Sequence, residues 1–162
     1  MKSLVLGLLL FSQYALAGDI FAKVTPEQPV CYGREYSTAH LKSAPKQTVQ
    51  KFQAKLEKNN DGTKIMSVEV TLKGHKHQFT NYRAYFVCED NNRCYIECDG
   101  GSVQLSKAND GRLAIENNNF VLEGGCDGDG ETETRILEAI AGGDDKFLLT
   151  ELPAPFCQNV SE

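Results

Sequence analysis

Strict alternation of apolar and polar residues is the sequence feature that most limits how this chain can fold. In residues 66–73, four apolar side chains alternate with polar ones: Met66, Val68, Val70 and Leu72. Successive side chains of a strand point to opposite faces, so this pattern predicts a strand with one buried face. Asn-Asn-Asp-Gly at residues 59–62 precedes the strand and is a strong turn signal.

Similar alternation predicts further strands. Residues 51–56 alternate as well, although Val49, Phe52 and Leu56 also suit a helix, and with the strand after the 59–62 turn they predict a hairpin. The other predicted strands lie at residues 79–88, 94–98, 103–105, 113–115, 120–122 and 147–152. Turns are predicted between them at residues 73–75, 89–92, 109–111 and 117–119. Residues 134–141 suit a strand and a helix equally well.

In the strand predicted at 94–98, alternate residues share the inward face: Cys94, Ile96 and Cys98. One short helix is predicted at residues 37–43, with Ser37 or Thr38 as N-cap and Pro45 preventing extension. Pro153 ends the last strand because proline cannot donate to a ladder. The chain is therefore predicted to be mainly β, an antiparallel β-sandwich or small barrel with one short N-terminal helix, in a single domain of residues 18–162.

The first 17 residues have the layout of a secretory signal peptide. Lys2 precedes an apolar run at residues 4–11 and the small-x-small sequence at residues 15–17. This run is much shorter than the about 20 apolar residues of a spanning helix. We expect cleavage before Gly18 and a periplasmic or secreted product, with no integral membrane segment after cleavage.

Export decides how the six cysteines are interpreted, because thiols pair in oxidising compartments. Disulfide bonds are therefore expected to stabilise the fold. The spacing of Cys94 and Cys98 approaches that of a zinc site, but no second Cys or His pair lies at zinc-finger distance, and a reactive thiol is less compatible with export. Sequence alone does not choose among the pairings. The strand pattern suggests three of them: Cys88–Cys94, Cys98–Cys126 and Cys31–Cys157.

Four short motifs are distributed over most of the chain after the leader. They are Cys31-Tyr32-Gly33-Arg34-Glu35-Tyr36, Ala39-His40-Leu41, Glu97-Cys98-Asp99-Gly100-Gly101 and Leu122-Glu123-Gly124-Gly125-Cys126. This combination resembles a group of exported bacterial proteins without assigned activity. The resemblance implies a bacterial, periplasmic origin and brings no catalytic residues with it.

Residues 32–40 contain the side chains best suited to a polar site: Tyr32, Arg34, Glu35, Tyr36 and His40. They indicate a binding surface. A periplasmic hydrolase with a site near Glu35 and His40 is an alternative, and a histidine that only satisfies a buried hydrogen bond is another interpretation of His40.

Two further segments contain oxygen or nitrogen ligands for metals. Three carboxylates alternate in an acidic loop, and a fourth falls where a twelve-residue calcium loop places its last one: Asp127, Asp129, Glu131 and Glu138. Thr132 stands where that loop requires glycine, so a solvated loop is favoured and a calcium-binding module is a second alternative. The second segment contains His75 and His77, which offer a transition metal only two candidate ligands.

Charge and missing motifs limit the remaining functions. The net charge is −5 with no Lys/Arg cluster, which argues against a nucleic-acid partner. The sequence contains no nucleophile elbow, zinc-protease motif or phosphate-binding glycine loop. The leading hypothesis is a non-enzymatic binding module for an unknown protein, glycan or small-molecule ligand, with no cofactor.

Overall fold

The computed structural model describes residues 18–73, 81–122 and 135–160, so the predicted signal peptide lies outside the described residues. Within this part, one short helix, α1 (Thr38–Ser43), follows the first strand, and a 3-10 helix (Ala154–Asn159) follows the last. The strands are β1 (Val30–Glu35), β2 (Val49–Lys58), β3 (Lys64–Leu72), β4 (Asn81–Cys88), β5 (Arg93–Tyr95), β6 (Gly101–Lys107), β7 (Leu113–Leu122), β8 (Arg135–Leu137) and β9 (Lys146–Leu152).

The strands form an eight-stranded, closed, antiparallel barrel. From β1 to β7 each strand pairs with the next one along the chain. β7 then pairs with β9, and β9 pairs with β1 through Gly33 opposite Thr150, which closes an up-and-down barrel. β8 is an additional short strand that pairs with the end of β7, on the same edge as β9. The predicted mainly β fold, in its barrel form, is confirmed.

Several local predictions are also confirmed. Residues 51–56 lie in β2, whose hairpin with β3 places Leu56 opposite Met66. The predicted helix is α1, where the Ser37 Oγ accepts a hydrogen bond from the His40 backbone N–H at 3.2 Å. Of the ambiguous segment 134–141, residues 135–137 form a strand.

The turn predicted at residues 117–119 is wrong, because β7 runs without interruption from Leu113 to Leu122. Asn117 is buried, and its Nδ2 donates to the carbonyl oxygens of Leu137 and Asp144 at 3.0 and 2.8 Å. Its side chain thereby bridges the gap between β8 and β9. Asn119 has a φ of 61°, a left-handed conformation that asparagine tolerates within a strand irregularity.

The strand predicted at 94–98 is too long, since β5 ends at Tyr95. Cys94 is buried in the core, whereas Cys98 is exposed. Cys98 and Asp99 have left-handed φ values of 58° and 61°. These two residues reverse the chain toward β6, so Cys98 does not share the inward face with Cys94.

Side chains from alternate strand positions fill the barrel interior. The Phe52 and Phe147 rings lie 4.7 Å apart, and Phe86 meets Phe120 edge-on at 5.2 Å. Burying one such side chain contributes about 1.5–3 kcal/mol. The interior around these rings therefore serves as the hydrophobic core.

Residues 18–24, here called the N-terminal plug, close the mouth of the barrel at which β1 begins. Ile20, Phe21 and Val24 of the plug are buried in the core. The Lys64 ammonium, at the start of β3, lies 5.7 Å from the Phe21 ring centroid and 3.4 Å from the Asp19 carboxylate. The alternation pattern did not identify this segment.

The predicted disulfide bond between Cys88 and Cys94 is confirmed, and it joins β4 to β5 across their turn. Cys31 and Cys98 are disulfide-bonded as well. The other two suggested pairs each include a side chain outside the described part of the chain and stay predictions: Cys31–Cys157 and Cys98–Cys126.

Candidate functional site

Three of the five residues predicted to form a binding surface do come together. The Arg34 guanidinium carbon lies 4.6 Å from the centroid of the Tyr36 ring. The His40 ring, on α1, stacks on Tyr36 with centroids 5.0 Å apart and an interplanar angle of 28°. We call Arg34, Tyr36 and His40 the Tyr36 stack. It lies where β1 passes into the helix.

A glutamine that the sequence interpretation overlooked orients His40. The His40 Nε2 and the Gln47 Oε1 are 3.0 Å apart, and the Gln47 Nε2 donates to the Val49 carbonyl oxygen at 2.8 Å. Because the amide oxygen is an acceptor only, this contact requires the proton on Nε2 of His40. The hydrogen bond thus places a proton on Nε2, and stacking on Tyr36 fixes the orientation of the ring.

Tyr36 is protonated at neutral pH. Burial is the largest influence and raises the pKa of its phenol above the ordinary 10.0. The Arg34 guanidinium acts in the opposite direction, the Asp144 carboxylate raises the pKa again, and Arg112 lowers it. The Tyr36 stack therefore presents a neutral phenol between charged neighbours and no ionised nucleophile.

The other two predicted residues lie apart from the Tyr36 stack. Glu35 is exposed and, by strand alternation, faces away from Arg34 and Tyr36. Tyr32 is near the plugged mouth, where Lys107 lies 5.8 Å from its ring centroid. Burial and then the Glu151 carboxylate raise the pKa of Tyr32. The five residues consequently do not form one site.

Asp144 is a buried carboxylate next to the Tyr36 stack that the sequence did not single out. It accepts hydrogen bonds from the Thr48 N–H at 2.8 Å, the Val49 N–H at 3.1 Å and the Thr48 hydroxyl. Its own carbonyl oxygen accepts from Asn117. Asp144 thus ties the start of β2 to β7 and to the loop before β9, which is a structural role.

The predicted metal ligands lie mostly outside the described residues: Asp127, Asp129, Glu131, His75 and His77. Glu138 is described; it is exposed and borders a pocket of about 140 Å³ together with Arg135 and Asp144. Among the described residues, no three His, Cys, Asp or Glu side chains are grouped as metal ligands. The calcium alternative stays a prediction.

A second candidate site lies on the outer face of the barrel. The register across β2, β3, β4 and β5 aligns four outward residues in one row: Glu57, Ile65, Val87 and Tyr95. The adjacent row contains Lys55, Ser67 and Tyr85. We call Ile65, Tyr85, Val87 and Tyr95 the tyrosine face.

The tyrosine face combines exposed rings with a buried floor. Tyr85 is 55% exposed and Tyr95 is 37% exposed. Ile65 is only 4% exposed although it lies on the outer face, so the surrounding side chains cover it. Large aromatic side chains are costly to leave in water, and an exposed cluster of them is typical of an interaction surface.

Carboxylates border the tyrosine face. Burial is the largest cause of the raised pKa of Tyr85, and the Glu57 and Glu97 carboxylates raise it further. Glu57 also forms an ion pair with Lys55 at 2.8 Å. Both carboxylates therefore contribute negative charge around Tyr85, and that of Glu57 is balanced by Lys55.

The tyrosine face stands on a rigid base. Tyr85 and Val87 belong to β4, Tyr95 belongs to β5, and the Cys88–Cys94 disulfide joins the two strands directly beside them. Strand alternation places Tyr95 on the side opposite Cys94, whereas Glu97 lies in the turn that follows β5. That parity was the sequence signal for this site, but only the register shows that Tyr85 and Tyr95 share it.

No family model, no curated protein and no solved structure matches this chain. The resemblance to exported bacterial proteins and the periplasmic location thus stay predictions. In the described residues, none of the helices has the length and apolar character needed to cross a membrane.

Proposed function

We propose that this chain is an exported, non-enzymatic binding module and that it binds its partner with the tyrosine face. Export is supported by the leader pattern in residues 1–17 and by the disulfide-bonded cysteines. The packed interior around Phe52 and Phe86 leaves the outer face and the loops as the surfaces for recognition.

The observation that carries this proposal is the pair of exposed tyrosines on a disulfide-linked hairpin. Tyr85 and Tyr95 present large rings with few rotatable bonds, so little side-chain entropy is lost on binding. The Cys88–Cys94 bond orders the hairpin before the partner arrives. Preorganised aromatic side chains of this kind dominate the binding energy of many interfaces.

A hydrolase with Glu35 and His40 receives less support from the geometry. The His40 ring stacks on Tyr36, while Glu35 is on the other face of β1. General acid–base catalysis requires its groups to reach the same substrate atoms. Glu35 and His40 would have to move to reach one substrate, whereas binding through the tyrosine face requires no movement of the strands.

The proposal is tested with a panel of immobilised ligands of known chemistry: arginine-containing, glutamate-containing and uncharged peptides, and neutral oligosaccharides. Wild-type protein is compared with the double variant Tyr85→Ala/Tyr95→Ala, and circular dichroism confirms that the variant folds. Ile136→Ala is the matched control because Ile136 is an exposed apolar residue on a different strand.

We expect at least one ligand class to bind wild type and Ile136→Ala equally and the double variant about tenfold more weakly. Failure of every class to bind wild type, or equal binding by all three proteins, contradicts the proposed function.

A further inference from the structure

We infer that the partner of the tyrosine face is a cationic segment, whose Lys or Arg side chains lie over Tyr85 and Tyr95 and pair with the Glu97 carboxylate. This inference rests on the proposed function and adds the chemistry of the partner.

Glu97 is the acidic group best placed to meet a new cation. It is exposed, lies close to Tyr85, and forms no ion pair with any residue that the structure describes. Asp99 is exposed in the same turn, two residues further along the chain. The β5–β6 turn, which directly follows Tyr95, thus carries two carboxylates in solvent.

Most basic side chains of this region already have acidic partners. Lys55 pairs with Glu57 at 2.8 Å, and the Arg83 Nε lies 3.8 Å from the Glu69 carboxylate. Arg93 is exposed two residues before Tyr95. Its positive charge repels a second cation that approaches that side of the Tyr95 ring. The favourable approach for a cation is therefore over Tyr85, toward Glu97.

Several aromatic rings of this chain lie against cationic side chains. Four described rings each lie within 6 Å of a cationic group, in the pairs Arg34–Tyr36, Lys64–Phe21, Lys107–Tyr32 and Arg135–Tyr82. Within the described part of the chain, Tyr85 and Tyr95 have no such contact, although they are the more exposed rings. A ring face attracts cations electrostatically, and nearby carboxylates strengthen this attraction.

A neutral glycan is the competing partner, since sugar rings also stack on exposed tyrosines. A neutral glycan gains no charge–charge attraction from Glu97 or Asp99, so its binding would be indifferent to ionic strength. A cationic segment uses both the rings and the carboxylates, and the net charge of −5 favours its approach. The observations therefore favour the cationic segment.

The experiment uses a short peptide in which arginine alternates with glycine, with both termini blocked. The matched control peptide contains citrulline, which keeps the shape of arginine but has no charge. Dissociation constants are measured by calorimetry at low and high salt for wild type and for Tyr85→Ala, Tyr85→Phe, Glu97→Gln and Glu116→Gln. Glu116→Gln is the charge control because Glu116 is a half-exposed glutamate on β7, paired with Lys146.

We expect the arginine peptide to bind wild type, Tyr85→Phe and Glu116→Gln alike, and to bind Tyr85→Ala and Glu97→Gln about fivefold more weakly. Salt should weaken binding to wild type, and the citrulline peptide should bind much more weakly than the arginine peptide.

An equal loss of affinity for the arginine peptide in Glu97→Gln and Glu116→Gln overturns the inference, because net charge alone then explains the binding. Equal binding of the two peptides also overturns it, and so does a result in which neutral oligosaccharides bind the tyrosine face while the arginine peptide does not. In this last case the proposed function survives; if no ligand of the panel binds wild type, both fail.

Discussion

The side-chain Oδ1 of Asn92 accepts a hydrogen bond from the backbone N–H of Ile20 at 3.2 Å, across 72 positions of the chain. The Nδ2 of the same side chain donates to the Gly18 carbonyl oxygen at 3.4 Å. Asn92 is 2% exposed and lies in the β4–β5 turn. One buried amide thus holds the N-terminal plug against the hairpin that carries the tyrosine face.

Replacing Asn92 should loosen the plug. Its φ of 61° suits asparagine and glycine but strains alanine. We expect Asn92→Gly, which removes the hydrogen bonds without straining the backbone, to lower the free energy of unfolding by about 1 kcal/mol, and Asn92→Ala by about 2–3 kcal/mol. Urea denaturation measures both values, and wild-type stability in Asn92→Gly would show that the amide does not hold the plug.

Phe21→Ala should be among the most destabilising single substitutions in the plug. The Phe21 ring is fully buried at the barrel mouth, so its removal leaves a cavity. We expect a loss of about 3–5 kcal/mol in the free energy of unfolding. The exposed neighbour Lys23, changed to alanine, serves as control and should alter stability by less than about 0.5 kcal/mol. Similar values for the two variants would mean that the plug is not part of the cooperative fold.

Asp144→Ala should destabilise the barrel without touching the tyrosine face. The substitution leaves the N–H groups of Thr48 and Val49 without their charged acceptor at the start of β2. We expect thermal and urea unfolding to show a loss of about 2–3 kcal/mol. The same change at Asp145, whose side chain is only partly buried, is the control. If the two variants are equally stable, the Asp144 carboxylate has no special structural role.

The fold should lose stability in alkali. Burial raises the pKa of Tyr32, Tyr36 and Tyr85 above the ordinary value of 10.0. Above pH 10 the unfolded chain therefore releases these protons more readily than the folded chain, and the free energy of unfolding falls as the pH rises. Below pH 10 this contribution is fully present.

Tyr36→Phe removes one of the groups responsible, so its stability should fall less steeply above pH 10 than that of wild type. Urea denaturation over this range measures both slopes, and tyrosinate absorbance follows the ionisation. If the free energy of unfolding falls equally steeply with pH in both proteins, Tyr36 does not contribute to the loss of stability in alkali.

Alternation predicted most strands because it reflects a local rule. Residues on one face of β3, such as Met66 and Val70, are buried together whatever the neighbouring strands are. The Cys88–Cys94 bond was predictable for the same reason, since both cysteines flank one short turn. The asparagines at 117–119 misled this reasoning because local propensity favours a turn there, whereas a buried network between β8 and β9 determines the actual conformation.

The amino-acid sequence by itself determined which segments are extended, where the helix begins and which cysteines close the β4–β5 turn, because each depends on residues within about ten positions of one another. Barrel closure, the plug and the tyrosine face were decided only by the tertiary structure. Asn92 meets Ile20, Asp144 meets Thr48, and Tyr85 shares a face with Ile65 through pairings between distant segments. The sequence pattern shows which face of a strand is buried but not which strand lies beside it, because strand order and register arise from the packing of the whole barrel.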